Sequence, residues 1–257
     1  MKHRVLVENE ELRPYLPETH VLTESKLNEM IAQYDLLYVK PSVGGGGKGV
    51  IRLERTDEYY VLQTIRRKVK FRKLKNMWIY LKKRIPPNRV YLVQQGLHLM
   101  RIDQRPIDFR VILIKPNRNA EWIYKGIIGK YAAKDSHITN RSSGGTSIRF
   151  FDALQQRFDY DEEQCVEKEE TMTQLSYKIA QTLGGYFINM NQLGLDLAID
   201  EEERVWLIEA NTRPNYQLFR QHEKPEKFAQ IRAHIRQLRT PTNRRNRRRG
   251  RQSSRKG

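Results

Sequence analysis

The stretch LGLDLAIDEEERVWLIEANTRP, residues 193–214, carries the pattern that decides the fold. Two apolar runs, residues 195–199 and 205–208, flank an acidic segment at residues 200–203. Short apolar runs separated by a polar turn are typical of paired strands. We therefore predict a β-hairpin late in the chain.

Three oxygen-bearing side chains lie on this predicted hairpin. Asp196 is on its first strand and Glu209 on its second. Asn211 follows Glu209 by two residues, so side-chain alternation puts both on one face. Mg²⁺ is usually held by one or two carboxylates together with substrate phosphates. We predict a magnesium site at Asp196, Glu209 and Asn211. A solvated acidic face is the competing interpretation, and it fits residues 200–203 better than Glu209, which ends an apolar strand.

The segment KPSVGGGGKGV, residues 40–50, lies between two predicted strands. Successive glycines lack Cβ atoms, so backbone N–H groups can approach phosphate oxygens closely. A Walker A loop is excluded, because a strand rather than a helix follows. A flexible hairpin turn is the alternative, but a lysine ending an apolar strand favours nucleotide binding. The predicted phosphate-binding residues are Lys40, Gly44, Gly45, Gly46, Gly47 and Lys48.

Two further strands carry polar side chains. In YLVQQGLHL, residues 91–99, the predicted strand ends in Gln94 and Gln95. A strand edge that enters a hinge can present backbone groups to an adenine. DFRVIL, residues 108–113, carries Arg110, and cations aimed at a phosphoryl group can stabilise its transfer. The downstream candidates are Lys125, Lys130, Asn140 and Arg141. Any one of these could equally be a surface charge.

The formal net charge of +18 is concentrated in two segments. Residues 66–84 contain ten basic residues and no acid, and so do residues 236–257. Removing these twenty from the 48 basic residues leaves 28 against 30 acids, so the rest of the chain has an ordinary globular surface. From about residue 240 the chain has nothing apolar to bury, and we expect a disordered basic tail.

Composition also limits location and redox chemistry. No apolar stretch approaches the roughly 20 residues that cross a bilayer, and the N-terminus lacks a signal-peptide core. We expect a cytoplasmic protein without a membrane span. The single cysteine, Cys165, excludes an internal disulfide, and its acidic surroundings suggest a surface position.

Hydrophobic periodicity predicts the other elements. We expect a helix at 24–34 behind a Thr23 N-cap, and another at 73–84 with Met77 and Trp78 packed inward. A third is expected at 166–183, stopped by Gly184-Gly185. Strands are predicted at 36–39, 49–53, 59–62, 91–95, 107–114, 122–128, 195–199 and 205–208.

Together these elements resemble the ATP-grasp superfamily, and most closely its YheC/YheD-type members, described as endospore coat-associated in bacilli. The resemblance runs from about residue 16 to residue 214. Its motifs are PET (17–19), YVKPSVGGGGKG (38–49), LVQQGL (92–97), DFRVIL (108–113), NRSSGG (140–145), LGLDLAID (193–200) and WLIEANTRP (206–214).

The resemblance implies an α+β fold of two subdomains, with antiparallel sheets that enclose ATP. Lys40 would then contact the α-phosphate, and the glycine loop would close over the β- and γ-phosphates. Gln94, Gln95 and Leu97 would lie at the adenine. Asp196, Glu209 and Asn211 would hold one or two Mg²⁺, with Glu209 bridging. The transferred phosphate or the acceptor would be faced by Arg110, Arg141, Arg213 and Lys130.

On this basis residues 1–20 are a short leader, 21–98 the first subdomain with the glycine-rich lid, 99–239 the second subdomain with the metal site, and 240–257 the tail. The sequence departs from the family in two respects. We expect the preceding Rossmann-like domain, which in ATP-grasp ligases helps to bind the acceptor, to be missing or reduced. Gln95 also stands where many relatives have Glu.

The leading hypothesis is an ATP- and Mg²⁺-dependent ligase that joins a carboxylate to an amine through an acyl phosphate. An ATP-grasp kinase would use much the same site. A non-catalytic spore protein that keeps the fold is an alternative from a different class. A third is a nucleic-acid or polyanion binder acting through the basic helix and the tail, whose affinity would fall steeply with salt.

Overall fold

The computed structural model describes residues 2–44, 49–65, 67–117, 119–132, 146–222 and 224–239. The helices are α1 (Lys2–Glu8), α2 (Glu24–Gln33), α3 (Leu74–Lys82), α4 (Phe150–Phe158), α5 (Glu162–Tyr186) and α6 (Pro225–Arg239). The strands are β1 (Thr19–Val21), β2 (Leu36–Pro41), β3 (Ile51–Arg55), β4 (Tyr60–Gln63), β5 (Lys68–Phe71), β6 (Tyr91–Gln95), β7 (Arg101–Ile102), β8 (Arg105–Ile114), β9 (Ile123–Tyr131), β10 (Ser147–Ile148), β11 (Gln192–Ile199) and β12 (Val205–Asn211). Within these ranges, no helix combines the length and apolar character that crossing a bilayer requires.

The strands pair antiparallel in two sheets. The first has the order β1-β6-β2-β3-β4-β5, and the second has the order β10-β9-β8-β11-β12 with β7 attached to β8. The predicted late hairpin is β11 and β12, and its register sets Asp196 directly opposite Glu209. Antiparallel sheets combined with helices confirm the predicted α+β class.

The core of the first sheet lies between one sheet face and two helices. Leu37 and Val39 alternate along β2 with more polar residues and are buried. α2 contributes Leu27 and Met30 to this core, and α3 contributes Met77, as its helical spacing predicted. Because successive side chains on a strand point to opposite faces, the other face of this sheet carries the polar residues.

The second sheet is buried on both faces. On one face, Phe109 and Val111 pack against the buried stripe of α5, which includes Ile179. On the other face, Ile112 and Ile114 pack under α6 and the 3₁₀ turn Gln217–Gln221. Asp108 and Arg110 occupy the remaining half of that second face, since they alternate with the core residues of β8. The charged half of the sheet is therefore set by the register of β8.

The two sheets meet at a short connection after β6. Gly96 donates its N–H to Leu36 O at 2.7 Å, and Met100 donates to Ile199 O at 2.8 Å. A Cβ at position 96 would lie 2.2 Å from Leu36 Cγ, so only glycine fits this approach. Hydrogen bonds to both sheets fix where the first sheet stands relative to the β11–β12 hairpin.

Several local predictions hold. Thr23 caps α2 by accepting from Lys26 N at 3.1 Å. Met77 is buried and Trp78 is partly buried against the first core.

Three local predictions are wrong. α5 does not stop at Gly184-Gly185 but continues to Tyr186; Gly184 lies beside Trp122, where a Cβ would be 3.4 Å from the indole Nε1. Cys165 is buried, because α5 begins earlier than predicted and turns this residue toward the second core while its acidic neighbours face solvent. Asp200, expected on a solvated acidic face, is 2% exposed because it accepts hydrogen bonds from Arg204 and Trp206.

Candidate functional site

Lys40 lies near the end of β2, on the polar face of the first sheet. Its Nζ donates to Gln94 Oε1 at 2.7 Å, and Gln94 Nε2 donates to Thr19 Oγ1 at 2.7 Å. Burial lowers the pKa of Lys40, and the negative charge of Glu209 opposes part of that decrease. Lys40 is therefore a desolvated cation with a neutral hydrogen-bond partner, attracted at longer range by a carboxylate of the second sheet.

The residues predicted at the adenine separate at the end of β6. Gln94 is buried on the polar face with Lys40, whereas Gln95 lies on the opposite face by strand alternation. Gln95 Oε1 accepts from Glu18 N at 3.2 Å and so supports the pairing of β1 with β6. Leu97 follows Gly96 at the connection between the sheets and is half-buried.

Asp196 lies at the centre of a buried charge network on the second sheet. Arg110 binds its carboxylate through two nitrogens, with Nε 2.7 Å from Oδ1 and Nη2 2.9 Å from Oδ2. Lys130 Nζ lies 2.8 Å from Asp196 Oδ1 and 2.6 Å from Asp108 Oδ1. Burial alone would raise the pKa of Asp196, but Lys130 and Arg110 together lower it to about 2. The carboxylate therefore stays ionised inside the protein.

Arg110 has little capacity left for a ligand. Besides the two bonds to Asp196, its Nη1 donates to Asn215 O at 3.1 Å. Burial lowers the pKa of Arg110, but the adjacent Asp196 raises it beyond that decrease. The expected contact of Arg110 with a transferred phosphate is thus replaced in this structure by a bidentate ion pair that orders Asp196 and the loop after β12.

Glu209 and Asn211 occupy the β12 side of the site. Glu209 pairs across the hairpin with Asp196, and Asn211 pairs with Gly194. Glu209 is half-buried, and within the described ranges its carboxylate forms no direct hydrogen bond or ion pair. Its charge nevertheless acts on both Lys40 and Arg110. The two sheets thus bring Lys40 and Glu209 to a common polar region.

The remaining predicted residues are only partly described. Gly45, Gly46, Gly47, Lys48 and Arg141 lie outside the described residues, as do Asn140 and the tail from residue 240. Gly44 and Arg213 are exposed, and Lys125 is half-buried. Gly49 closes the glycine segment with a φ of 78°, a backbone conformation that favours glycine.

The structure adds residues that the sequence analysis missed. Lys2 Nζ, on α1, donates to Ala210 O between Glu209 and Asn211. His3 lies close enough for its pKa to be lowered, first by burial and then by the charge of Lys40. Nothing in the first residues of the sequence signals this position, because α1 reaches the site only by packing on the second core. Asp108 could have been found, since alternation on β8 places it on the face of Arg110.

A family model described as YheC/D like ATP-grasp matches residues 1–237. The endospore coat-associated protein YheD of Bacillus subtilis (strain 168) is 28% identical over 224 residues, covering 84% of this chain and 48% of YheD. The endospore coat-associated protein YheC of the same strain is 24% identical over 209 residues, covering 79% of this chain and 56% of YheC. The chain thus spans about half the length of these relatives.

Among solved structures, D-cycloserine synthetase DcsG superposes with a TM-score of 0.55 at 14% identity, covering 91% of this chain and 69% of DcsG. At that identity the likeness concerns the fold alone. The family match covers nearly the whole chain and includes both sheets, the connection between them and the charged hairpin. The chain belongs to the YheC/D-like ATP-grasp family.

Proposed function

We propose that this chain binds ATP and Mg²⁺ between its two sheets and catalyses the joining of a carboxylate to an amine. Two side chains carry the proposal: the half-buried Lys40 on the first sheet and Glu209 on the second. Among the described residues, Lys40 has no direct counter-ion and the Glu209 carboxylate has no direct partner. A triphosphate would supply the anion that Lys40 lacks, and a metal would neutralise Glu209.

Lys40 is proposed to bind the α-phosphate. The pair formed with Gln94 holds the ammonium in place before nucleotide arrives, so little ordering remains to be done on binding. The glycine segment 44–49 is proposed to cover the β- and γ-phosphates with backbone N–H groups. Gln94, Gln95 and Leu97 are proposed to border the adenine, with Gln95 acting through its backbone because its side chain supports β1.

The donor set fits a magnesium ion. The Glu209 carboxylate has no direct partner among the described residues, and Asn211 adds a neutral oxygen two residues along the same strand. Asp196 already accepts three hydrogen bonds, so only Oδ2 keeps a lone pair for a metal. The described residues contain no cluster of three or more acidic, histidine or cysteine side chains that could hold a metal alone. We propose Glu209 and Asn211 as the main ligands, completed by phosphate oxygens and supported by Asp196.

The proposed reaction has two steps. A carboxylate oxygen of the acceptor attacks the γ-phosphorus, and ADP leaves. An amine then attacks the acyl carbon, inorganic phosphate leaves, and the amine gives up a proton. When bound, magnesium would neutralise charge on the transferred phosphoryl group. Arg110 and Lys130 are proposed to position Asp196, whereas Arg141 and the exposed Arg213 are proposed to face the phosphate or the acceptor.

A trapping assay tests this reaction. The protein is incubated with MgATP, a panel of amino-acid and peptide carboxylates, and hydroxylamine as the amine. We expect ADP and an acyl hydroxamate in equal amounts, a product that Glu209→Gln loses and Glu201→Gln, an exposed acid of the same hairpin, retains. Nucleotide binding without ADP or hydroxamate would instead support a protein that keeps the fold without catalysis.

The names of the relatives motivate a location. YheD and YheC are both named endospore coat-associated, and we propose that this chain also associates with the spore coat. A fluorescent fusion produced in sporulating Bacillus subtilis is expected to collect at the coat. A signal that stays uniform through the cell would oppose the proposal.

A further inference from the structure

The outer edge of the first sheet is flanked by cations that the proposed reaction does not use. The exposed basic residues of this segment are Arg67, Lys68, Lys70, Arg72, Lys73, Lys75, Lys82, Lys83 and Arg84. Within the described part of the chain, none of them forms an ion pair with a carboxylate. Fields from like charges add, so this edge attracts anionic partners. We call the surface formed by residues 67–84, including these basic side chains, the β5 edge.

β5 is the last strand of the first sheet, and among the described residues no strand pairs with its outer side. Thr64 donates its N–H to Arg67 O at 2.8 Å, so these two residues are a hydrogen-bonded pair at the turn of the β4–β5 hairpin. Because hydrogen-bonded pairs alternate along antiparallel strands, Lys68 and Lys70 direct their peptide groups away from β4. The β5 edge therefore offers an outward row of backbone donors and acceptors.

The cations lie on both sides of this backbone row. Lys68 and Lys70 project on one face of β5, while Phe71 projects on the other and packs against Tyr80 of α3 at a centroid distance of 5.1 Å. On the outer surface of α3, Lys75 and Lys82 flank Ile79, which is 46% exposed. An extended segment added beside β5 would thus meet Lys68 and Lys70 on one face of the sheet, and the exposed lysines of α3 would add to the positive charge near it.

The aromatic rings of this region are unsuited to base stacking. Lys70 Nζ lies 4.1 Å from the ring centroid of Tyr59, and the Arg84 guanidinium lies 3.2 Å from that of Tyr80. Single-stranded nucleic acids are usually held by aromatic faces that are free to stack. The covered rings and the open strand edge favour a protein partner over a nucleic acid.

We propose that the β5 edge binds an extended acidic segment of another protein by strand addition. Backbone hydrogen bonds to Lys68 and Lys70 give the segment its register, and the surrounding cations select acidic side chains. Lysines on an edge strand also discourage pairing with neutral strands, so the same residues exclude non-acidic partners.

The test separates charge from backbone pairing at one position. Lys70→Gln removes the charge, and Lys70→Pro removes both the charge and an outward N–H while leaving the β4 ladder intact. The probe is a fluorescent octapeptide of alternating Glu and Val, blocked at both ends, and binding to the full chain is measured by anisotropy. We expect Lys70→Pro to bind about tenfold more weakly than Lys70→Gln.

A DNA duplex provides the comparison. Binding of a 20-base-pair probe, about two helical turns, depends on phosphate charge and should not distinguish the two variants. Two double variants test where the peptide binds. Lys75→Glu/Lys82→Glu changes exposed charges of the β5 edge, and Arg220→Glu/Arg232→Glu changes exposed charges beside the second sheet. Only the first double variant should weaken peptide binding. Equal peptide affinities of Lys70→Pro and Lys70→Gln, equal effects of the two double variants, or absence of peptide binding would each overturn the proposal.

Discussion

The two sheets provide charge to the site in opposite ways. On the second sheet, Asp196 is neutralised inside the protein by Arg110 and Lys130 at 2.7–2.9 Å. On the first sheet, Lys40 has the amide of Gln94 as its one direct partner within the part of the chain that the structure describes, and Glu209 attracts it at longer range. The Asp196 network is thus electrostatically complete, whereas Lys40 keeps a charge that a ligand can satisfy.

This difference has an energetic meaning. Removing one member of a buried ion-pair network leaves the others without compensation, so Asp196 and its partners should matter mainly for stability. A desolvated lysine without a direct counter-ion contributes little to stability and can use its charge on binding. Variants of Asp196 and of Lys40 should separate these two roles.

The largest effect is expected for Asp196→Asn. Arg110 and Lys130 would remain buried without their shared anion, and we expect unfolding free energy to fall by about 3 kcal/mol. Urea denaturation monitored by circular dichroism measures the change. The control is Asp57→Asn, an exposed acid in the β3–β4 turn, which should leave stability unaltered. A loss confined to nucleotide affinity would contradict the structural role of Asp196.

Acid should act on the same network. Since the pKa of Asp196 is lowered from 3.8 to about 2, its contribution is fully present above pH 3.8 and is lost as pH falls through about 2. The stability difference between wild type and Asp196→Asn should therefore shrink over that window. Denaturation curves recorded at several acidic pH values measure it, and a difference that stayed constant down to pH 2 would refute the assignment.

Lys40→Met should show the reverse pattern. We expect ATP affinity to fall about a hundredfold, because a charge-assisted phosphate contact in a water-poor site is lost. Unfolding free energy should change by less than about 1 kcal/mol, since methionine fills a similar volume. Titration calorimetry and urea denaturation give the two values, with Lys82→Met on exposed α3 as the control. Strong destabilisation with unchanged affinity would reverse the comparison between the sheets.

The smallest effect is expected for Gln94→Leu. The hydrogen bonds from Lys40 and to Thr19 would be lost, and we expect ATP affinity to fall about tenfold. Gln95→Leu is a close control, because that side chain lies on the opposite face of β6. Titration calorimetry compares them. Equal losses in both variants would place the two glutamines in one role and contradict the alternation argument.

The hairpin could be predicted from the sequence because the residues that determine it are close together along the chain. Apolar runs predicted the strands β11 and β12, and the polar turn between them predicted their pairing. The direct opposition of Asp196 and Glu209 depends on a register shift between Asp196 and Leu197, which no local pattern specified. The observed antiparallel pairing of β11 and β12 confirms the predicted hairpin. Local apolar runs likewise predicted β2, β6 and β8.

The charge network could not be predicted from the sequence. Arg110 and Asp196 are 86 residues apart, and their pairing depends on β8 lying beside β11, which no local pattern specifies. The position of Lys2 beside Glu209 likewise depends on how α1 packs on the second core. The surface position predicted for Cys165 was wrong for a different reason. Its neighbours are acidic, and its place on the buried side of α5 depends on the helix beginning at Glu162.

The most direct test of the central claim is the metal dependence of nucleotide binding. A non-hydrolysable ATP analogue is titrated into the protein by calorimetry, with Mg²⁺ and with EDTA, for wild type, Glu209→Gln and Glu201→Gln. We expect Mg²⁺ to raise the affinity of wild type and Glu201→Gln about tenfold or more, and to have little effect on Glu209→Gln. Equal metal-dependent affinity in all three proteins would contradict a nucleotide site shared between Lys40 and Glu209.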